Sequence, residues 1–307
     1  MKLGMIGLGR MGGNMSTRLE RAGHEVIGYD RNPEVSSATS VAELVERLDA
    51  PRIAWVMVPS GTPTDDTIAE LAGLLSEGDI VVDGGNSFFR DDQRHAEMLA
   101  ARGIHFVDAG VSGGVWGLQE GYCLMVGGSD DDIALLQPIF ESLAPPEGWA
   151  HVGPVAAGHY AKMVHNGIEY GMMQAYAEGY ELLTASDIDI DVDAAIKVWR
   201  HGSVVRSWLL DLLVLALDAD PGLESFKGYA SDSGEGRWTV NEAVRLAVPL
   251  PVITAALFAR FESRLDTSPA MQVISALRSQ FGGHSEQAID RRPAERIEGG
   301  DGKVVPG

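Results

Sequence analysis

Five polar side chains, four of them able to exchange protons, recur at helical spacing in Gly158-His159-Tyr160-Ala161-Lys162-Met163-Val164-His165-Asn166-Gly167-Ile168-Glu169-Tyr170. Lys162, His165, Asn166, Glu169 and Tyr170 stand at i, i+3, i+4, i+7 and i+8, which puts all five on one face of an α-helix. Met163, Val164, Ile168, Met172 and Met173 around them are apolar. The spacing therefore predicts a buried helix whose polar stripe lines a cleft. A solvated face decorated with Lys and Glu would share the spacing, but it would not need five convergent functional types. In a cleft, desolvation lowers a lysine pKa toward that of a general base and raises a carboxyl toward that of an acid. Lys162 and Glu169 form such a base and acid pair.

A second constellation sits at the start of the chain. Gly7-Leu8-Gly9-Arg10-Met11-Gly12 follows the apolar run 3–6 and opens an amphipathic stretch over 10–22, the setting a dinucleotide fingerprint requires. Gly7 permits the tight turn, Gly9 lets a pyrophosphate approach the backbone, and Gly12 allows close helix-to-strand packing. Asp30 closes the next apolar run, His24-Glu25-Val26-Ile27-Gly28-Tyr29-Asp30, where a carboxylate bonds both ribose hydroxyls. The same carboxylate repels a 2′-phosphate, so NAD is expected over NADP, with Arg31 beside it the residue that could oppose this. Three further segments follow apolar runs: Val58-Pro59-Ser60, Asp83-Gly84-Gly85-Asn86-Ser87 and Ser112-Gly113-Gly114. Ligands gather at such strand ends in open parallel sheets.

These residues need elements to hold them. Up to residue 153, five β-rich runs (KLGMIG, HEVIGYD, RIAWVMV, DIVVDGG, IHFVDAGV) alternate with helical patterns such as 10–22 and 62–75. From 154 onward apolar residues keep helical spacing through 155–185, 191–217, 239–264 and 269–280. The expected class is α/β: an N-terminal doubly wound, Rossmann-type parallel sheet over 1–153, then an all-helical substrate and oligomerisation domain over 154–307. The boundary is placed at Gly153-Pro154. The tail after His284 is rich in Gly, Pro and charge and is expected to be loosely ordered.

Bulk properties exclude several partners. The formal charge of −20 disfavours nucleic acid and anionic membranes, so an anionic ligand must meet a local cation cluster. Cys123 is the one cysteine, which forbids an intrachain disulfide and fits a reducing cytoplasm. Arg10 interrupts the N-terminal apolar stretch too early for a signal peptide, and no window is long enough to span a membrane. No HExxH or paired-Cys spacing occurs, so no metal is expected; His165 with Glu169 is the only ligand-like pair seen.

GLGRMGGN, DGGNS, VSGGVWG, GHYAKMVHNGIEY, the GEGRWT run and FARFESR, in this order across nearly the whole chain, resemble the 6-phosphogluconate dehydrogenases, in particular their shorter NAD-linked bacterial form. The resemblance implies that Lys162 takes the C3 hydroxyl proton as hydride leaves for the nicotinamide, and that Glu169 protonates C1 after CO2 is lost. It implies that Asn86, Ser112, Gly113, Gly114, His165 and Asn166 hold the sugar acid. Tyr170 and Arg260 would help to bind its phosphate. Arg278-Ser279-Gln280-Phe281-Gly282-Gly283-His284 resembles the family's C-terminal segment that enters the neighbouring subunit's site. Arg278 and His284 would then act in trans, in at least a dimer. Val58, Pro59 and Asn86 join Gly7, Leu8, Gly9, Arg10, Met11, Gly12, Asp30 and Arg31 as expected cofactor contacts. The chain departs from its longer relatives at Asp232-Ser233-Gly234-Glu235-Gly236-Arg237-Trp238, where they carry a phosphate-contacting lysine, and it lacks their extra helices. The nearest rival is another β-hydroxyacid dehydrogenase, 3-hydroxyisobutyrate-like, against which Arg260, Arg278 and His284 argue. A redox-sensing NAD-binding protein would not need Lys162 and Glu169 on one face.

Overall fold

The computed structural model describes residues 1–282. Its first part runs β1 (Lys2–Ile6), α1 (Arg10–Arg21), β2 (Glu25–Tyr29), α2 (Val41–Glu46), β3 (Ile53–Val56), α3 (Thr62–Leu74), β4 (Ile80–Asp83), α4 (Phe89–Ala100) and β5 (His105–Ser112). The strands are short apolar runs because helices cover both faces of the sheet. Period-2 alternation splits them between two cores. Ile53, Trp55, Ile80 and Val82 join Met15, Leu19 and Phe140 on one side, while Ala54, Val56 and Val81 join Leu44, Ile68 and Leu71 on the other.

Two strands escape the sequence reading. β6 (Cys123–Gly127) and β7 (Trp149–Gly153) extend the order to β2-β1-β3-β4-β5-β6-β7. The sheet is therefore not wholly parallel as expected, because β6 runs antiparallel to β5, with Ser112 opposite Cys123. The connection between them holds only a 3₁₀ turn (Gly114–Trp116) and the one-turn α5 (Gly117–Glu120). Parallel strands need a crossover of a dozen or more residues, so a link this short returns the chain antiparallel. α6 (Asp130–Leu143) then makes a full crossover, and β7 lies parallel to β6.

The helical part comprises α7 (Ala157–Thr184), α8 (Val192–Val198), α9 (Trp208–Ala219), α10 (Glu235–Leu246), α11 (Pro251–Glu262) and α12 (Pro269–Gly282). The runs expected over 191–217 and 239–264 are each two helices. In the first, Gly202 takes φ +75° and the Ser207 hydroxyl starts α9 by accepting the Leu210 amide at 3.1 Å. In the second, Ala247 turns left-handed at φ +56° and Pro251 opens α11, where a missing amide costs nothing.

The helix α7 carries the polar stripe, and it lies directly on β5, β6 and β7 with α10 and α11 on its other side. Glycine permits that approach. A Cβ on Gly158 would stand 2.5 Å from the Met125 carbonyl oxygen and 2.7 Å from that of Asp108. One on Gly110 would stand 2.5 Å from Cβ of Lys162. The stripe thus rests against the sheet at a depth that side chains here would prevent. Gly158→Ala is expected to cost about 1–3 kcal/mol by overpacking and to lower the melting temperature measured by calorimetry. An unchanged melting temperature would mean that the backbone gives way there.

Candidate active site

Above the strand ends of the first half lies a cavity of about 820 Å³, lined by Gly7, Gly9, Arg10, Met11, Gly12, Asp30, Arg31, Val58, Pro59 and Asn86 among others. These are the residues expected to meet the cofactor, with one exception. Leu8 turns its side chain onto Gly28 and the core, and contributes its backbone amide instead, donating to Asp30 Oδ2 at 2.7 Å. The fingerprint glycines differ in their surroundings. Gly7 sits at φ +93°, and a Cβ on Gly12 would lie 1.9 Å from the Gly7 carbonyl oxygen, whereas a Cβ on Gly9 would meet nothing within 4 Å. Gly9 is open to the cavity, the cradle a pyrophosphate needs. Asp30 is held by Leu8 on one oxygen and by the Asn32 amide on the other at 2.9 Å, so its carboxylate is fixed at the cavity wall. The residues fit a dinucleotide.

Along α7, Lys162 Nζ donates to Asn166 Oδ1 at 2.5 Å, and His165 Nδ1 lies 3.0 Å from the same oxygen. His165 Nε2 stands 3.5 Å from the hydroxyl of Ser112 at the end of β5. Burial lowers the Lys162 pKa, opposed by the charges of Glu169 and Glu235. This is the environment of a lysine that can work as a base. Glu169 is half-buried one turn beyond His165. Gly113 and Gly114 both take positive φ, at +124° and +53°, and carry the chain away from Ser112. Tyr170 is buried against Gly236, its hydroxyl meets no partner, and the Arg260 guanidinium stacks 3.5 Å from its ring. Arg278 stands exposed on α12, and His284 lies outside the described residues.

Two groups went unread in the sequence. The first is a buried network centred on His159. Its Nδ1 pairs with Asp92 Oδ2 at 2.8 Å and its Nε2 reaches the Gly85 carbonyl at 3.1 Å. Asp108, on β5, accepts the amides of Ala156 at 2.7 Å and His159 at 2.8 Å, capping the start of α7. Asp83 holds the loop after β4 through the Gly85 amide at 2.9 Å and the Ser87 hydroxyl at 2.7 Å. Complete burial acts to lower the His159 pKa, but the charge and hydrogen bond of Asp92, with Asp83 and Asp108, outweigh it and push it up to about 10. Burial raises Asp92, and raises Asp108 to about 6, against the pull of His159. A lone imidazole inside a helix gives no sequence signal, because its carboxylates come from strands and helices 50 to 70 residues away.

The second sets Arg260, already expected at the phosphate, beside two further arginines. Asp232 binds Arg237 at 2.6 Å and Arg264 at 2.5 Å, and these contacts, that of Arg237 foremost, hold its pKa down to about 2. Arg260 donates to the neighbouring Ser231 carbonyl at 3.0 Å. Two guanidinium groups thus meet one carboxylate, with that of Arg260 on the adjacent Ser231 carbonyl, and the three give the local positive excess an acidic chain needs to hold an anion.

Carboxylates and imidazoles also gather within 4.8 Å at Asp83, Asp92 and His95, and at Asp92, Asp108 and His159, among the described residues. Neither group includes His165 or Glu169. In the second, both ring nitrogens of His159 are already hydrogen-bonded.

Residues 2–153 match the NAD binding domain of 6-phosphogluconate dehydrogenase, and residues 158–275 match the C-terminal domain of 6-phosphogluconate dehydrogenase. The chain belongs to the 6-phosphogluconate dehydrogenase family. It is 42% identical over 295 residues to the NAD(+)-dependent, decarboxylating 6-phosphogluconate dehydrogenase of Haloferax volcanii, covering 92% of this chain and 98% of that one. It is 37% identical to the NADP(+)-dependent enzyme of Bacillus subtilis, covering 86% of this chain and 61% of the relative. The Plasmodium falciparum 6-phosphogluconate dehydrogenase structure superposes with a TM-score of 0.80 at 27% identity, covering 97% of this chain and 68% of that one. A Mycobacterium tuberculosis 3-hydroxyisobutyrate dehydrogenase, 23% identical with a TM-score of 0.69, covering 90% of this chain and 99% of that one, shares the fold.

The His159 network makes a prediction about stability. Replacing His159 by Leu leaves buried carboxylates without their counter-charge and is expected to cost about 3–5 kcal/mol. The folded pKa of His159 lies above its ordinary 6.5, so its contribution is complete below pH 6.5 and is lost as pH rises through about 10. Denaturant melts of the wild type and His159→Leu should therefore differ most at pH 6 and converge toward pH 10. A constant difference would remove the charge from the explanation.

Proposed function

We propose that this chain oxidises 6-phosphogluconate to ribulose 5-phosphate and CO2 with reduction of NAD. The observation that carries this reading is Lys162, a half-buried lysine with a lowered pKa, set between Gly110 of β5 and a fixed amide on a helix that packs on β5, whose Val111 lines the dinucleotide cavity. The cavity residues from Gly7 to Gly12, with Asp30, would hold NAD, which would supply the acceptor for the hydride of C3. Lys162 takes the proton of the C3 hydroxyl and then donates a hydrogen bond to the new carbonyl, which draws electrons as the C1 carboxylate leaves. Glu169 returns a proton to C1 of the enediol. Asn86, Ser112, Gly113, Gly114, His165 and Asn166 orient the sugar acid, and Tyr170 with Arg260 meets its phosphate, for which the unpartnered Tyr170 hydroxyl beside a guanidinium is suited. The fixed carboxylate of Asp30 supports NAD over NADP.

In this reading residues 1–153 bind the cofactor and 154–307 bind substrate and a second copy of the chain. The helical part leaves Leu182, Ile188, Val204, Val244, Val252 and Phe258 exposed, an apolar area of the kind a homo-oligomer buries. Such an assembly would bring Arg278 and His284 to the neighbouring site. Residence in the cytoplasm agrees with a single cysteine, and no described helix is long and apolar enough to cross a membrane.

Absorbance of NADH on mixing protein, NAD and 6-phosphogluconate tests the reaction. Turnover should require the phosphate, favour NAD over NADP and survive EDTA; activity lost to chelator and restored by a divalent ion would overturn the metal-free reading. Lys162→Ala should reduce kcat by about 10²–10⁴-fold, the range of a lost general base. Near-normal turnover would reassign the base. Arg260→Ala is expected chiefly to raise KM for the sugar phosphate and to leave KM for NAD unchanged, since a contact remote from the chemistry acts through binding.

A further inference from the structure

Glu235 is 3% exposed at the first turn of α10. Its placement is tightly determined. A Cβ on Gly167 would stand 2.8 Å from Thr239 Cγ2, and one on Gly236 would stand 2.6 Å from the Tyr170 ring, so α10 and α7 cross in close contact. The Thr239 hydroxyl ties the helices by reaching the Met163 carbonyl at 2.9 Å and that of Glu235 at 2.7 Å. Glu235 Oε2 accepts from the Ser233 hydroxyl at 2.6 Å and Oε1 accepts from Asn166 Nδ2 at 2.8 Å.

A carboxylate has no hydrogen to give, so Asn166 must turn its NH2 toward Glu235 and its oxygen toward Lys162 and His165. We propose that Glu235 is a positioning residue that fixes this orientation of Asn166 and, through it, the proton-accepting atoms of both Lys162 and His165. With the amide oxygen facing Lys162, one N–H of the amine is engaged and its lone pair is left to the substrate hydroxyl. A flipped amide would donate Nδ2–H into that lone pair and quench the base. The same oxygen, 3.0 Å from His165 Nδ1, demands a proton on Nδ1. In the neutral ring, Nε2 is then left as an acceptor facing the Ser112 hydroxyl and the space beyond it. Glu235 touches neither substrate nor cofactor in this account, which rests on the reading of Lys162 as the base.

The test is the tautomer of His165, read by long-range ¹H–¹⁵N correlation on the full chain without substrate, at a pH where the ring is neutral. The His165 signals are identified by their loss in His165→Gln. The wild type is expected to carry the proton on Nδ1, and Glu235→Ala is expected to shift the ring toward the Nε2-protonated form. Glu235→Gln, which keeps an acceptor for Asn166 Nδ2, should retain the wild-type pattern. In turnover, Glu235→Ala should lose about 10- to 100-fold in kcat, the scale of a misplaced catalytic group, with KM for NAD unchanged and the Gln variant restoring most of the rate. A wild-type ring protonated on Nε2 would overturn the proposal without any variant. So would an unchanged tautomer in Glu235→Ala. If the tautomers behave as expected but 6-phosphogluconate is not oxidised, the proposed reaction fails and the role of Glu235 in orienting Asn166 stands.

Discussion

The buried imidazole of His159, set among Asp83, Asp92 and Asp108, is the contact on which the rest of the site depends. It joins four elements that are remote in sequence: the loop after β4, the first turns of α4, the middle of β5 and the start of α7. Through the Gly85 carbonyl it anchors the loop that presents Asn86 to the cofactor cavity. Asp108 fixes the first turn of α7 through two backbone amides, so the helix bearing Lys162 is tied to the sheet at its origin. Asp92 Oδ1 meets no partner, and the network is therefore not a minimum-energy packing of apolar groups. Buried charge of this kind contributes little net stability compared with hydrophobic packing, but it strongly penalises arrangements that separate the partners. Its effect is to hold one geometry.

From that anchor the polar face of α7 follows. Glycines at 110, 127 and 158 let the helix settle onto β5 and β6, while Gly167 and Gly236 let α10 close on its other side. The helix is thus clamped between sheet and helices. Its polar stripe has only the cleft to face, which desolvates Lys162 and gathers Asn166, His165 and Glu235 into one hydrogen-bonded chain. The arginines around Asp232 and Tyr170 lie at the far end of the same stripe. In the proposed reading a strand end, a clamped helix and a cationic cluster would line one site for a sugar acid that carries a carboxylate at one end and a phosphate at the other.

Much of this was legible in the residues. The glycine fingerprint, Asp30, the period-2 strands and the five-residue stripe of α7 are local patterns, and each is bounded by physics acting over a turn or two of chain. What was not legible had non-local causes. The reversal at β6 turns on the length of a connection. The two broken helices kept their apolar period, so their interruption at Gly202 and Ala247 had to be read from backbone geometry. Leu8 fits the fingerprint by position, yet its side chain is core and only its amide serves the loop.

The sequence by itself determined that a dinucleotide fold would be joined to a helical part, that one helix would carry a lysine and a glutamate on one face, and that an acidic chain would need local cations. Those conclusions rest on spacing and composition, which are properties of the chain. Only the tertiary structure decided that His159 is buried among carboxylates, that Glu235 faces Asn166, and that Arg237 and Arg264 converge on Asp232. Each of these joins residues brought together by packing, and a side chain's charge and hydrogen-bond direction are set by its neighbours in space.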